Sequence, residues 1–287
     1  MIAGTVFLTL NDGVMKWMTA CYPIGEVIFI RSLFVLIPVA LLAWRAGGLA
    51  ALRVHNIRGQ AVRTVLSIAS MGFFITGLRL LPLAEAISLT FASPLFVTIL
   101  APPVLGETVG WRRWLAVLVG FVGVLIMTRP DGEAMRWVVL LPLGAALTFG
   151  LANIMTRRIS VTESSVSILG VSMISVTVVS LATAPFGWRA PAIGDVAFLA
   201  LAGILLGCAQ FLMIEALRLA EAAVAAPFHY SAVIWAMILD LVIWSNRPDP
   251  WVLGGAVIVI ASGLYIFRLE ARRPEGTDKL LPSQKEE

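Results

Sequence analysis

The chain has 287 residues, of which 59% are hydrophobic and 13% charged, and its formal net charge is +4. Soluble domains are about one half apolar and about one quarter charged, so this balance excludes an ordinary soluble protein and points to an integral membrane protein. The small positive excess calls for no nucleic-acid partner, and Cys21 and Cys208 fall in different apolar segments, where they form neither a disulfide framework nor a metal motif.

A membrane-spanning helix needs about 20 apolar residues. On that measure the chain is expected to span the bilayer ten times, over 2–20, 24–44, 61–79, 82–105, 111–128, 136–156, 164–185, 194–217, 221–244 and 250–267. The first segment follows no basic n-region and no small-residue cleavage site, so it is expected to be a retained span. Every connection is short except 45–60, and the alternation of a β-barrel is absent, so the fold class is all-α integral membrane. The stretch 50–59 is amphipathic and is expected to lie on the cytoplasmic surface. The tail 269–287 is polar, holds two prolines and is expected to be disordered.

Spans one to five recur as spans six to ten. Gly77-Leu78-Arg79-Leu80 answers to Ala216-Leu217-Arg218-Leu219, and Leu8-Thr9-Leu10 to Leu147-Thr148-Phe149, both at a spacing of 139 residues. Trp111 pairs with Trp251 and Gly123 with Gly263 at a spacing of 140. Each copy holds an odd number of spans, so the second enters from the opposite side. Two inverted five-helix repeats are expected, over 1–129 and 130–268, followed by the tail 269–287.

Fourteen basic residues, among them Arg45, Arg53, Arg63, Arg112, Arg157 and Arg268, fall on the side that holds both termini, against five on the other. The positive-inside rule then places both termini in the cytoplasm, with the protein expected in a bacterial inner membrane. Trp17, Trp44, Trp111, Trp114, Trp137, Trp188, Trp244 and Trp251 stand near span ends, as an interfacial belt requires.

Charge inside the hydrocarbon is costly unless it is paired or faces water. Span one carries Asp12 and Lys16, four apart on one helical face, and span two carries Glu26 and Arg31. Counted from the outer ends, Lys16 and Glu26 lie about 3–6 Å deep and Asp12 and Arg31 about 10–12 Å deep. Asp12 is therefore expected to face Arg31, and Lys16 to face Glu26, either as a static clamp or as part of solute binding and gating.

Span four opens with Pro82, carries Glu85 near its outer end, and has Phe91, Ser93 and Pro94 near the middle. Span nine, its counterpart, has Pro227, His229 and Tyr230, then Trp235 and Asp240 further out. Phe91 and Tyr230 are equivalent under the repeat, so both are expected near the midplane. Proline frees a carbonyl in each helix, a break that transporters use to line a site. An aromatic pocket with a histidine and a carboxylate suits a planar or cationic organic solute; simple helix packing is the other reading of the two rings. His229 is a candidate proton relay or a hydrogen-bonded packing residue. Asp240 and Glu85 are the better proton-carrier candidates, and Gln210 in span eight offers a neutral hydrogen bond.

The stretch Ala86-Ile87-Ser88-Leu89-Thr90-Phe91-Ala92-Ser93-Pro94-Leu95-Phe96 is followed by Leu105-Gly106-Glu107, Trp111-Arg112-Arg113-Trp114 and Gly120-Phe121-Val122-Gly123-Val124. Together these resemble the EamA domain of the drug/metabolite transporter superfamily. Asn11-Asp12-Gly13-Val14-Met15-Lys16 and Phe29-Ile30-Arg31-Ser32 resemble the opening of that domain, and Ala226-Pro227-Phe228-His229-Tyr230 the matching region of its second copy. The resemblance implies ten helices with cytoplasmic termini and a central cavity lined by spans three, four, eight and nine. Phe91, Ser93, Gln210, His229 and Tyr230 would then line the cavity. The second copy departs from the pattern, because Gly106-Glu107 is replaced by Ser245-Asn246.

Members of the superfamily carry riboflavin, S-adenosylmethionine, amino acids, sugars, metallophores and drugs, so the fold alone names no solute. The first half most resembles the bacterial subgroup of riboflavin and S-adenosylmethionine transporters. Riboflavin uptake is the favoured reading because an aromatic midplane suits its ring system; S-adenosylmethionine uptake and metabolite export are the alternatives. A lipid-linked sugar flippase and an intramembrane enzyme are the competing classes. The sequence shows no zincin motif, no metal cluster and no phosphate-binding glycine loop with a lysine, so neither a metal nor another cofactor is expected and the protein is not expected to be an enzyme. The expected partners are a small-molecule solute and the lipid bilayer.

Overall fold

The computed structural model describes residues 2–45, 47–105, 110–128, 137–159, 162–219, 230–247 and 249–271. Among them run eleven α-helices and no strand: α1 (Ile2–Cys21), α2 (Ile24–Arg45), α3 (Ile57–Leu80), α4 (Leu83–Thr90), α5 (Ser93–Leu105), α6 (Trp111–Thr128), α7 (Leu140–Ile159), α8 (Ser165–Leu181), α9 (Ile193–Leu219), α10 (Ala232–Trp244) and α11 (Pro250–Ala271). Six helical stretches are long and apolar enough to cross a membrane, and Val166–Leu181 and Ala232–Trp244 are shorter apolar helices.

Among the described residues the elements follow the expected spans with three corrections; the first part of span nine, 221–229, lies outside them. Span three starts earlier, at Ile57, where the Asn56 side chain accepts the Gly59 amide as an N-cap. The expected surface stretch 50–59 is therefore divided between a 3-10 turn at Gly48–Leu52 and the first turn of α3. The expected tail begins later, because α11 continues to Ala271. Span four is broken into α4 and α5 at Phe91 and Ala92. Pro94 has no amide to offer the Thr90 carbonyl, and the amides of Phe91 and Ala92 turn instead to Ser88 and Leu89 at 3.2 and 3.1 Å. The chain resumes helix at Ser93, which places Pro94 in the first turn of α5, where a missing amide is harmless.

Pairing between helices is long-range in sequence. Helix α3 lies along α7, α1 along α9, α2 along α8 and α9, α4 against α10, and α6 along α11. The α6–α11 pair approaches through glycine: a Cβ built on Gly123 would stand 2.9 Å from the Gly255 carbonyl oxygen, and one on Gly255 2.5 Å from that of Gly123. Small residues allow this close contact where no hydrophobic force separates helix from lipid.

The largest apolar cluster joins α4, α5, α6, α10 and α11 through Leu83, Leu89, Leu95, Val117, Ala236 and Val259. A second joins α1, α2, α3 and α9 through Met15, Val27, Ile75 and Leu199. Phe74 of α3 packs against both. Outside, Leu118, Val122, Ile234 and Val242 stand exposed, while Asn11, Asp12, Glu26 and Arg31 are buried. That inversion of the soluble pattern is what a lipid-facing bundle requires. Trp17, Trp44, Trp111, Trp137 and Trp251 are exposed near helix ends.

Candidate solute site

Near one end of the bundle, Asp240 of α10 joins α10 to α4. Its Oδ1 accepts the Leu83 amide at 3.0 Å and its Oδ2 the Ala84 amide at 2.7 Å. These are the first amides of α4, whose own N-cap, Pro82, supplies no side-chain bond. Helix N-termini hold unpaired amides and partial positive charge, so a carboxylate from a neighbouring helix is a fitting cap. Lys16 of α1 donates to the Leu81 carbonyl, stands 3.9 Å from Asp240, and lies 5.1 Å from the centre of the Trp244 ring. Glu85 is close enough to act on the Lys16 charge.

This arrangement corrects the expected Lys16–Glu26 pairing. The Glu26 Oε2 instead accepts the Arg189 amide at 3.0 Å. Helices α1 and α2 are joined through Tyr22 and Pro23 but share little surface, since each lies along helices of the second half. Equal depth from the membrane surface therefore does not bring their side chains together.

Deeper in the bundle, Asn11, Asp12 and Arg31 are 1%, 8% and 6% exposed. The Asn11 Nδ2 donates to Asp12 Oδ1 at 2.9 Å, and the Arg31 Nη2 donates to the Met71 sulfur of α3 at 3.2 Å. Asp12 and Arg31 attract each other, yet no salt bridge or hydrogen bond joins them among the described residues. Three polar atoms here, Asn11 Oδ1, Arg31 Nε and Ser32 Oγ, are buried without a hydrogen-bond partner.

Phe91 and Tyr230 meet edge to face, with ring centres 4.9 Å apart. The Tyr230 hydroxyl lies over Gly263 of α11, where an added Cβ would stand 2.3 Å from it. Phe91 belongs to the largest apolar cluster and Tyr230 packs against it. Ser93 is buried beside Gly150 of α7, and Pro94, Gln210 and Trp235 are half-buried. The Trp235 Nε1 is buried without a partner. Pro227 and His229 lie outside the described residues. Most of the expected site residues thus fall into three groups, Lys16, Glu85 and Asp240 at the start of α4, Asp12 and Arg31 deeper on α1 and α2, and Phe91 and Tyr230 in the aromatic contact, while Glu26 stands apart on the Arg189 amide.

At the opposite end, a clamp that the sequence did not reveal involves Glu163. Its Oε1 accepts the amides of His55 and Asn56 at 2.6 and 2.5 Å, and its Oε2 accepts the Ser167 hydroxyl at 3.1 Å. Burial pushes the Glu163 carboxyl up, but the two amides and the hydroxyl outweigh it and hold the group below its ordinary value. Nearby, the Arg63 Nε donates to Thr156 at 2.9 Å, and its Nη1 donates to the Ile168 carbonyl at 3.1 Å and to Ser172. An acid between two helices reads in sequence as a solvated loop residue, and only the meeting of two loops shows otherwise.

Comparison with known proteins agrees with this architecture. The model of the EamA-like transporter family matches the chain twice, at residues 1–129 and 136–268. The S-adenosylmethionine uptake transporter of Rickettsia bellii is 32% identical over 274 residues, covering 94% of this chain and 93% of that one. The riboflavin transporter of Rhizobium johnstonii is 30% identical over 276 residues, covering 95% and 90%. A solved crystal structure shares the fold, with a TM-score of 0.66 at 16% identity over 96% of this chain and 97% of that chain. The chain belongs to the EamA-like transporter family, as two matches that together span nearly its whole length show.

Proposed function

We propose that the protein is a secondary transporter that takes up a small organic metabolite by alternating access between two inverted five-helix halves, 1–129 and 130–268. The observation that carries the proposal is the pattern of helix pairing. In span numbers the main contacts are 1–8, 3–6, 2–7, 2–8, 4–6, 4–9 and 5–10. Exchanging each span with its counterpart five places on turns 3–6 into 8–1 and returns 2–7, 4–9 and 5–10 to themselves, while 2–8 and 4–6 map onto the lighter contacts 3–7 and 1–9. The symmetric part of this pattern supports a two-fold axis in the membrane plane, and such an axis lets two halves rock about a shared centre. The excess of basic residues on the terminal side supports cytoplasmic termini in a bacterial inner membrane.

Asp240 is engaged as a cap of α4, which favours a closing role at the outer end over proton carriage; Glu85, in the same cluster, is the carboxylate we assign to coupling. For the solute, the relatives' names support riboflavin and S-adenosylmethionine equally. Phe91 and Tyr230 use their rings on each other, which leaves the riboflavin preference without its aromatic slot. Purified protein in nucleotide-free proteoliposomes tests the reading. Entry of labelled S-adenosylmethionine or riboflavin above empty vesicles, chemically unchanged, is expected. Chemical conversion of either solute, or entry of neither, would overturn it.

A further inference from the structure

We propose that Asn11, Asp12 and Arg31 form a receptor for the α-amino-carboxylate group of a zwitterionic solute, a specificity that rests on the transporter reading above. Four observations converge. Arg31 is a buried cation whose recorded bond goes to the Met71 thioether, a weak acceptor, and its Nε has no partner. Asp12 is a buried carboxyl group that the Asn11 amide nitrogen holds in place. The same amide leaves its oxygen, Asn11 Oδ1, buried and without a donor. Finally, no salt bridge or hydrogen bond joins Asp12 to Arg31 among the described residues.

A static clamp would bring guanidinium and carboxylate into direct contact and use up their hydrogen-bonding capacity. Here the capacity is left over, and it is sorted by type. Acceptors remain on the Asp12 and Asn11 side, where an ammonium with three donors fits. A donor remains on Arg31, where a carboxylate fits. Seating the group completes the alternation Asp12, ammonium, carboxylate, Arg31, so each buried charge gains an opposite neighbour. Orphaned buried polar atoms are costly in an empty site and are satisfied by this ligand class. Riboflavin offers no fixed charge pair to such a site, whereas S-adenosylmethionine carries an α-amino-carboxylate.

The experiment is binding and uptake of labelled S-adenosylmethionine in proteoliposomes, with S-adenosylhomocysteine and 5′-methylthioadenosine as competitors. The first competitor keeps the amino-carboxylate and the second lacks it. The wild type is expected to be inhibited by S-adenosylhomocysteine and ignored by 5′-methylthioadenosine. Arg31→Gln is expected to weaken binding by at least about tenfold and to erase the distinction between competitors. Arg31→Lys, which keeps the charge but not the planar fork, restores part of it. Asn11→Ala serves as the milder variant if Arg31→Gln fails to fold, and it reduces the same selectivity. Equal competition by both compounds, uptake of riboflavin but not of the zwitterions, or variants with unchanged selectivity would overturn the receptor while leaving the transporter reading intact. Wild-type vesicles that carry none of these solutes would overturn both.

Discussion

Both carboxylate oxygens of Asp240 are taken by the first amides of α4, and Lys16 stands beside them on α1. Asp240→Asn keeps one acceptor, loses the other, and leaves the half-buried Lys16 ammonium with Glu85 as its remaining carboxylate. Thermal unfolding in detergent is expected to show a loss of about 1–3 kcal/mol, as for leaving a buried amide without its acceptor. Glu163 gives the pH-dependent case. Its native carboxyl titrates below the unfolded one, so the clamp contributes fully above the unfolded value and is lost as pH falls through the native value. The melting temperature of the wild type is expected to fall on acidification below about pH 4.3. Glu163→Gln is expected to lower it by about 2–4 °C at neutral pH and to remove that acid step. Tyr230 supplies a third test. Gly263→Ala sets a methyl against its hydroxyl and is expected to destabilise by about 1–3 kcal/mol; adding Tyr230→Phe, which removes the hydroxyl, should recover most of the loss.

At the scale of elements, α6 and α11 cross where Gly123 and Gly255 face each other's carbonyls. Gly123→Leu is expected to separate the pair and cost about 1–3 kcal/mol, measured by thermal unfolding, because the overpacked side chain has backbone rather than a flexible neighbour in front of it. The elements themselves were largely readable from the sequence, since a run of apolar residues long enough to span a bilayer has few other uses. The break in span four was foreshadowed by Pro94, although the chain leaves the helix two to three residues earlier, at Phe91 and Ala92. Side-chain partners were less readable. Distance along a helix gives depth but not the direction a residue faces, so Lys16 and Glu26 matched in depth and met different neighbours. Asn11 passed unnoticed beside Asp12 because an uncharged amide in a span carries little signal until its oxygen is seen without a donor. Glu163 was hidden for another reason: its partners, His55 and Asn56, are more than 100 residues away in sequence.

At the scale of the whole molecule, the two family matches and the largely exchange-symmetric helix pairing point the same way. Each half supplies helices that pack mainly on the other, so neither half has a core of its own, and motion between halves must re-form contacts at both ends. The Lys16–Asp240–α4 group sits at one end and the Glu163–α3 group at the other. Alternating access requires the two ends to open in turn, whereas a channel does not. Counterflow separates the two directly. Proteoliposomes are loaded with unlabelled S-adenosylmethionine or riboflavin and diluted into a trace of the same labelled solute without nucleotide. A carrier that alternates is expected to show a transient overshoot of label inside, well above equilibrium and above vesicles loaded with buffer. Simple equilibration at the same rate with and without internal solute would contradict alternating access.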